Sequence, residues 1–311
     1  MTVDLATLSL YAVYSAMAIY TVSFLFFAWD LAQRSSLQPA KVMAMAGGQP
    51  EVEEIRDERA VVPSTGYQRI GIVLLGLGWV FHVAATILRG LAGNRVPWAN
   101  MFEFGLTATM LIVAVYLGSL FWRDLGYLGA WVSGFALLAL GIVTVNFYVD
   151  VVPLPPALQS IWLVIHVFVA SLSTAFFALG AGLSVLQIVR TRYEARQMAK
   201  AGLLRTIPHS TVLESLAYRL YVVGFVMWTF TLIAGAIWAE RAWGRYWGWD
   251  VKEVWTFIIW VLFAGYIHAR ATRGWRGNRA AWLGIVGFSA VIFNYTVVNL
   301  FFTGLHSYSG L

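Results

Sequence analysis

Long apolar runs alternate with short polar breaks along this chain. Runs of about 20 residues, enough to cross a bilayer as helices, fall at roughly 8–30, 69–89, 103–121, 126–147, 161–189, 215–238, 254–271 and 280–302. Within each run the apolar positions are continuous. A barrel strand would alternate, and lipid offers the backbone no other partner, so the spans are helices. The pattern therefore predicts an all-α, polytopic membrane protein with about eight transmembrane helices. Charged residues make up 12% of the chain, about half the share of a soluble domain.

Charge placement orients the spans. Sixteen of the 21 Lys and Arg fall in loops on one side: Arg34, Lys41, Arg56, Arg59 and Arg69, then Arg123, then Arg190 to Arg219, then Arg270 to Arg279. Arg89, Arg95, Arg241, Arg245 and Lys252 lie on the other side. Cations favour the cytoplasmic side, so both termini are expected outside. The excess of cations is thus a topology signal, and nothing points to nucleic acid. Residues 1–7 carry Asp4 and no Lys or Arg, so no signal-peptide n-region is evident. The chain divides into a first span (1–31), a cytoplasmic linker (32–68) and a transmembrane domain (69–311). Pro39, Gly47, Gly48 and Pro50 are expected to break the linker. Thr191 to Gln197 is expected to extend span five, and Thr211-x-x-Glu214 reads as a capping box opening span six. The chain has no cysteine, which excludes disulfides, thiol nucleophiles and thiolate-bound clusters.

The densest chemistry lies between spans six and seven, in an external loop at about 239–253. It reads Trp243-Gly-Arg-Tyr-Trp-Gly-Trp-Asp-Val-Lys-Glu253. Three Trp, a Tyr and two Gly among charged residues suit a large, flat, amphipathic ligand with acidic edges. A helical loop would stack Trp243 and Trp247 with Tyr246 beside them, and Gly244 and Gly248 would clear space for the ligand. Trp249 adds a further aromatic face. Arg245 and Lys252 are candidate carboxylate partners. Asp250 and Glu253 read mainly as ion-pair or N-cap residues. Trp238 and Trp255 read as interfacial belt residues.

The span count sorts the five histidines. His166, near the start of span five, and His306, after span eight, reach the same membrane surface as the loop. Imidazole is a common haem ligand, so the pair suits a six-coordinate haem iron, against the plainer reading of an interfacial and a terminal histidine. His268 lies near the cytoplasmic end of span seven, where a haem ligand and a snorkelling residue beside Arg270 are equally compatible readings. His82 lies in the outer half of span two, and His209 reads as solvated. A stacked-haem b-type cytochrome fits poorly, since no span holds two histidines. Asn100 and Glu103 read as a cap of span three or as a border of the same cavity. Asn294 and Asn299 read as interhelical hydrogen-bond partners.

Trp243-Gly-x-x-Trp247-x-Trp249-Asp250-x-Lys252-Glu253 resembles the tryptophan-rich WWD motif of a haem-handling family, with Val251 where the family has Pro. Leu158-Gln-Ser-x-Trp162-x-x-Ile-His166, Tyr266-Ile-His268-Ala-Arg270 and Gly304-Leu-His306-Ser-Tyr308 are similar to family sequence as well. Within the family, the similarity is to the CcsA (ResC) group of system II cytochrome c synthases. It covers residues 70–311. The resemblance implies a haem lyase component, active only with a CcsB/ResB-type subunit, that carries haem b across the membrane to apocytochrome c; the Ala- and Arg-rich composition favours a bacterial cytoplasmic membrane over a plastid thylakoid, which the same residues would fit. It implies His166 and His306 as external axial ligands, and His268 as one ligand of an intramembrane haem whose other ligand comes from that partner. A shorter exporter of the CcmC kind, and a carrier of some other amphipathic solute, are the rival readings.

Overall fold

The computed structural model of the protein describes residues 4–45, 65–154, 158–195 and 207–306, with backbone alone for 35–45. Its helices are α1 (Leu5–Met45), α2 (Gly66–Gly93), α3 (Met101–Ser119), α4 (Gly129–Asn146), α5 (Ile161–Ala195), α6 (Ser210–Trp243), α7 (Val251–Thr272), α8 (Asn278–Tyr295) and α9 (Val297–Phe301). No strand occurs among the described residues. Eight helical segments are long and apolar enough to cross a membrane, α8 and α9 together forming the eighth. An even number of crossings brings residue 4 and residue 306 to one end of the bundle, with the α6–α7 loop.

Several boundaries differ from the sequence expectation. α1 runs past Pro39 to Met45, so the first part of the predicted linker is helical. The Gly47, Gly48 and Pro50 breaks and the linker cations Arg56 and Arg59 lie outside the described residues, as do Arg196, Lys200 and Arg205. α5 does continue through Thr191 to Ala195. The Thr211/Glu214 capping box is absent: His209 is the N-cap residue and makes no side-chain cap. Glu214 instead pairs with Arg270 at 2.9 Å and accepts from Gly277 N at 2.9 Å, tying α6 to the α7–α8 turn. The start of α6 is held by Glu194 of α5, which accepts from Ser210 Oγ at 2.6 Å and Ser210 N at 3.2 Å. A carboxylate from a neighbouring helix thus does the capping that the local motif offers.

The bundle packs by rings set into glycine notches. Inside lipid the hydrophobic effect does not drive helices together, so close van der Waals contact must. The Tyr221 ring lies between Gly180 of α5 and Gly284 of α8, where any added Cβ would come within 2.7 Å of it. Its hydroxyl meets Ser184 Oγ at 3.1 Å. Phe177 stacks on Phe263 with centroids 3.7 Å apart and sits over Gly224. These contacts lock α5, α6, α7 and α8 together beneath the loop.

A second brace stands at the loop end. Glu103, at the start of α3, is buried between Arg89 (3.0 Å) and Arg95 (2.6 Å) and accepts from Ala99 N at 2.9 Å. Arg89 Nη2 also donates to Val149 O at 2.6 Å. A buried carboxylate needs such partners, because its desolvation is costly. The triad fixes the α2–α3 and α4–α5 loops around the mouth of the bundle. Asn100 caps α3 by accepting from Glu103 N at 2.9 Å.

Candidate functional site

The loop after α6 takes its shape from four residues. Gly244 turns the chain out of the helix at φ +70°, with its N–H on Glu240 O at 2.7 Å; this left-handed exit is the usual glycine C-terminus. The loop is therefore not helical, and Trp243 and Trp247 do not stack. Trp247 meets Trp249 edge-on at 5.8 Å instead. Asp250 and Glu253 form a reciprocal capping box at the start of α7. Glu253 Oε2 accepts from Gly248 N (2.8 Å) and Asp250 N (3.0 Å), folding the loop back on the helix. Val251 holds the first helical position, where proline is favoured because that N–H has no helical partner. The box is intact with Val there. Gly248 gives its space to the Arg245 guanidinium, which faces Glu253 Oε1 at 3.6 Å. It does not open room for a ligand.

Behind this loop lies a cavity of about 530 Å³, within the usual range of cofactor-sized pockets. His166, His306, Tyr246, Trp247 and Lys252 line it, with Trp98, Trp238, Asn100, Asn294 and apolar side chains of α3, α4, α5, α6 and α8. Trp243, Arg245, Trp249 and Asp250 are not among the lining residues. Trp243 packs edge-on behind His306 at 4.7 Å. Trp249 is 75% exposed, with φ +59°. That left-handed backbone costs a bulky residue roughly 1–2 kcal/mol.

Each of the two histidines is fixed through one ring nitrogen. His166 Nδ1 lies 2.9 Å from Thr231 O on α6. A carbonyl only accepts, so Nδ1 carries the proton and the lone pair is at Nε2. Gly235, one turn on, leaves room for the ring: a Cβ there would lie 2.7 Å from His166 Cε1. His306 Nδ1 lies 2.7 Å from Asp250 Oδ2, while Asp250 Oδ1 accepts from Leu305 N at 3.2 Å. The hydrogen bond from His306 holds the Asp250 carboxyl below its ordinary value, against a smaller opposing effect of burial. A carboxylate only accepts, so the neutral His306 ring too has its proton at Nδ1 and its lone pair at Nε2. Trp238, 2% exposed, joins the two: it stacks on His166 at 6.1 Å and meets His306 edge-on at 5.4 Å. It is a wall of the site and not a belt residue.

The other histidines differ. His82 is fully buried with both nitrogens engaged, Nδ1 with Tyr20 OH at 3.3 Å and Nε2 with Leu106 O at 2.9 Å. It has no lone pair to offer. His209 is exposed beside Glu194 (3.5 Å). His268 is at the far end of α7, exposed, with Nε2 3.3 Å from Thr272 Oγ1.

Three comparisons with known proteins bear on this arrangement. A family model described as "Cytochrome C assembly protein" matches residues 98–306. The "Cytochrome c biogenesis protein CcsA" of Guillardia theta is 37% identical over 251 residues, covering 74% of this chain and 83% of its own length. The protein of the same name from Synechococcus sp. (strain CC9902) is 34% identical over 269 residues, covering 77% and 87%. Among solved structures, "Cytochrome c Heme Lyase CcmF" aligns over 95% of this chain with a TM-score of 0.65 at 15% identity. The chain spans 47% of that protein, and the likeness is one of fold. The matched segment runs from Trp98 at the cavity mouth to His306 and contains both fixed imidazoles and the tryptophan loop. The chain belongs to the cytochrome c assembly protein family, in its CcsA group, and its role lies in cytochrome c maturation.

Proposed function

We propose that this chain is the haem-holding subunit of a system II cytochrome c synthase, with His166 and His306 as axial ligands of haem b. One observation carries the reading: two imidazoles line one apolar cavity, each with Nδ1–H donated to a fixed acceptor and Nε2 unspent. Metal-binding histidines show this pattern, because the outer acceptor fixes the tautomer and the ring angle. Haem is substrate here. Tyr246, Trp247 and Trp238 supply aromatic faces and edges around it, and Asp250 holds His306 in place. The thiols of an apocytochrome c Cys-x-x-Cys-His segment add across the two haem vinyl groups, each S–H adding to a C=C bond with no leaving group. This chain contributes position and protection of the iron.

The same reading gives His268 an intramembrane haem shared with a CcsB/ResB-type subunit. In support, Phe257, Val261, Gly265 and His268 are exposed in line along α7, the span with the smallest buried share. The cation distribution supports an orientation with the loop and both termini outside.

The test is the absorption spectrum of protein purified from haem-replete cells. A bis-imidazole haem signal, lost in a His166→Ala/His306→Ala double variant, is the expected result. A colourless wild-type protein would falsify the haem reading. Coexpression with a CcsB-type subunit and an apocytochrome then separates attachment from export, since only a synthase yields thioether-linked product.

A further inference from the structure

The mostly apolar cavity wall carries one cluster of polar groups where α7 meets the end of α8. There the eighth span breaks: α8 ends at Tyr295 and the helix resumes at Val297. Lys252 Nζ reaches into the break, donating to Asn294 O at 2.7 Å and Asn299 Oδ1 at 2.8 Å. Asn299 is itself held by Nδ2 on Tyr295 O at 2.8 Å. An ammonium has three N–H donors, so one remains. Beside it, Asn294 is 5% exposed and lines the cavity; its side-chain Oδ1 has no hydrogen-bond partner, and because an amide oxygen only accepts, what it can offer a carboxylate is the Nδ2–H of the same amide. Asn294 is also not the interhelical side-chain link expected of it: its backbone carbonyl makes that contact and its amide is left over. The nearby Glu253 carboxylate faces Arg245 at 3.6 Å, so its charge has a partner of its own.

We propose that Lys252 and Asn294 form a seat for one carboxylate of the cavity's occupant. The third Lys252 N–H supplies the charge-assisted bond, the Asn294 amide supplies a second donor, and Asn299 keeps the ammonium in register. The proposal rests on the haem reading, in which the carboxylate is a haem propionate. Sequence alone offers Arg245 and Lys252 equally. The structure separates them, because Lys252 lines the cavity, whereas Arg245 does not and faces the Glu253 carboxylate at 3.6 Å. A propionate seated here fixes the rotation of the porphyrin about the axis between the two imidazoles. That rotation decides where the vinyl groups face.

The test titrates haem-stripped protein in detergent with protohaem and with its dimethyl ester, which has no free carboxylate. The wild type is expected to bind protohaem about tenfold to a hundredfold more tightly, the size of one or two charge-assisted bonds. Lys252→Met should remove most of that preference, and Asn294→Leu should reduce it several-fold. Both variants should still give the bis-imidazole spectrum with protohaem, which reports intact folding. Should Lys252→Met fail to fold, Asn294→Leu decides alone. A preference that survives both substitutions overturns the seat and leaves the haem reading standing, as does equal binding of the two haems by the wild type. Failure of the wild type to bind either haem overturns the haem reading and the seat with it.

Discussion

Asp250 bears on the site although it does not line the cavity. Its two oxygens hold His306 Nδ1 and Leu305 N, so one carboxylate sets both the ring and the chain that carries it. Its depressed pKa gives the sign of the pH dependence: the carboxylate form is favoured by folding, and the tether is fully present above the ordinary carboxyl value of 3.8. It is lost only as pH falls below that value through the folded pKa, so the site keeps it throughout the neutral range. Asp250→Asn is expected to weaken haem binding by about 10- to 100-fold, as loss of an outer-shell partner does. It should also raise the haem reduction potential, because a carboxylate-bound imidazole is the better donor to ferric iron. An equilibrium titration and a redox titration check the two effects, and an unchanged potential would reduce Asp250 to a packing role. The histidines were legible in the sequence because an even span count brings His166 and His306 to one surface. Trp238 was not. A tryptophan at a span end fits the interfacial belt equally well, and its ring partners His166 and His306 lie some 70 residues away on either side. His82 shows the opposite limit: sequence places it in the outer half of span two, the wrong height to pair with His268, but only the Tyr20 and Leu106 contacts show that neither nitrogen is free.

At the scale of the helix, the site depends on a notch. α5 brings His166 against α6, and the ring fits because Gly235 has no side chain. Gly235→Ala places a methyl 2.7–2.8 Å from His166 Cε1 and Nδ1. The ring must then turn and leave Thr231 O. Alanine is a better helix former than glycine by about 1 kcal/mol, so the helix itself should not suffer. The expected outcome is a protein that folds and inserts normally but shows a weakened or mixed-ligand haem spectrum. Gly265→Ala on α7 is the control, since nothing lies within 4 Å of the added methyl, and it should leave the spectrum as it is. A wild-type spectrum from Gly235→Ala would mean that the His166 ring position is not needed for ligation. The elements themselves were legible as apolar runs, because length and continuity decide a membrane helix. Their ends were less so. The Thr211/Glu214 pair is a valid local cap overruled by Glu194 and Arg270 from other helices, and the Trp243–Trp247 stack fails because Gly244 leaves the helix at positive φ. In the Asp250/Glu253 box, where both partners are local and no other helix competes, sequence and structure agree.

Across the whole molecule, charge and chemistry divide between two ends. One end holds the tryptophan loop, the cavity, His166 and His306, braced by the buried Arg89–Glu103–Arg95 triad. The other holds His268 on an exposed face of α7, one turn beyond the open space at Gly265. Among the described residues His268 has no second imidazole at its depth: His209 sits in the α5–α6 connection beside Glu194, and the other three lie toward the loop end. A haem held there needs a ligand from another chain. The two ends should therefore separate experimentally. In the isolated chain, His268→Ala is expected to leave the haem content and the bis-imidazole spectrum of the loop-end site unchanged, because nothing in that cavity touches it. In the complex with a CcsB-type subunit, the same substitution should remove one haem population and lower the yield of thioether-linked cytochrome, while protein levels hold. Haem-to-protein ratio and product yield, measured with and without the partner, read both effects. Equal haem content in wild-type and His268→Ala complexes would reduce His268 to a surface residue of α7. It would also mean that the loop-end cavity receives its haem by a route that does not pass through this imidazole.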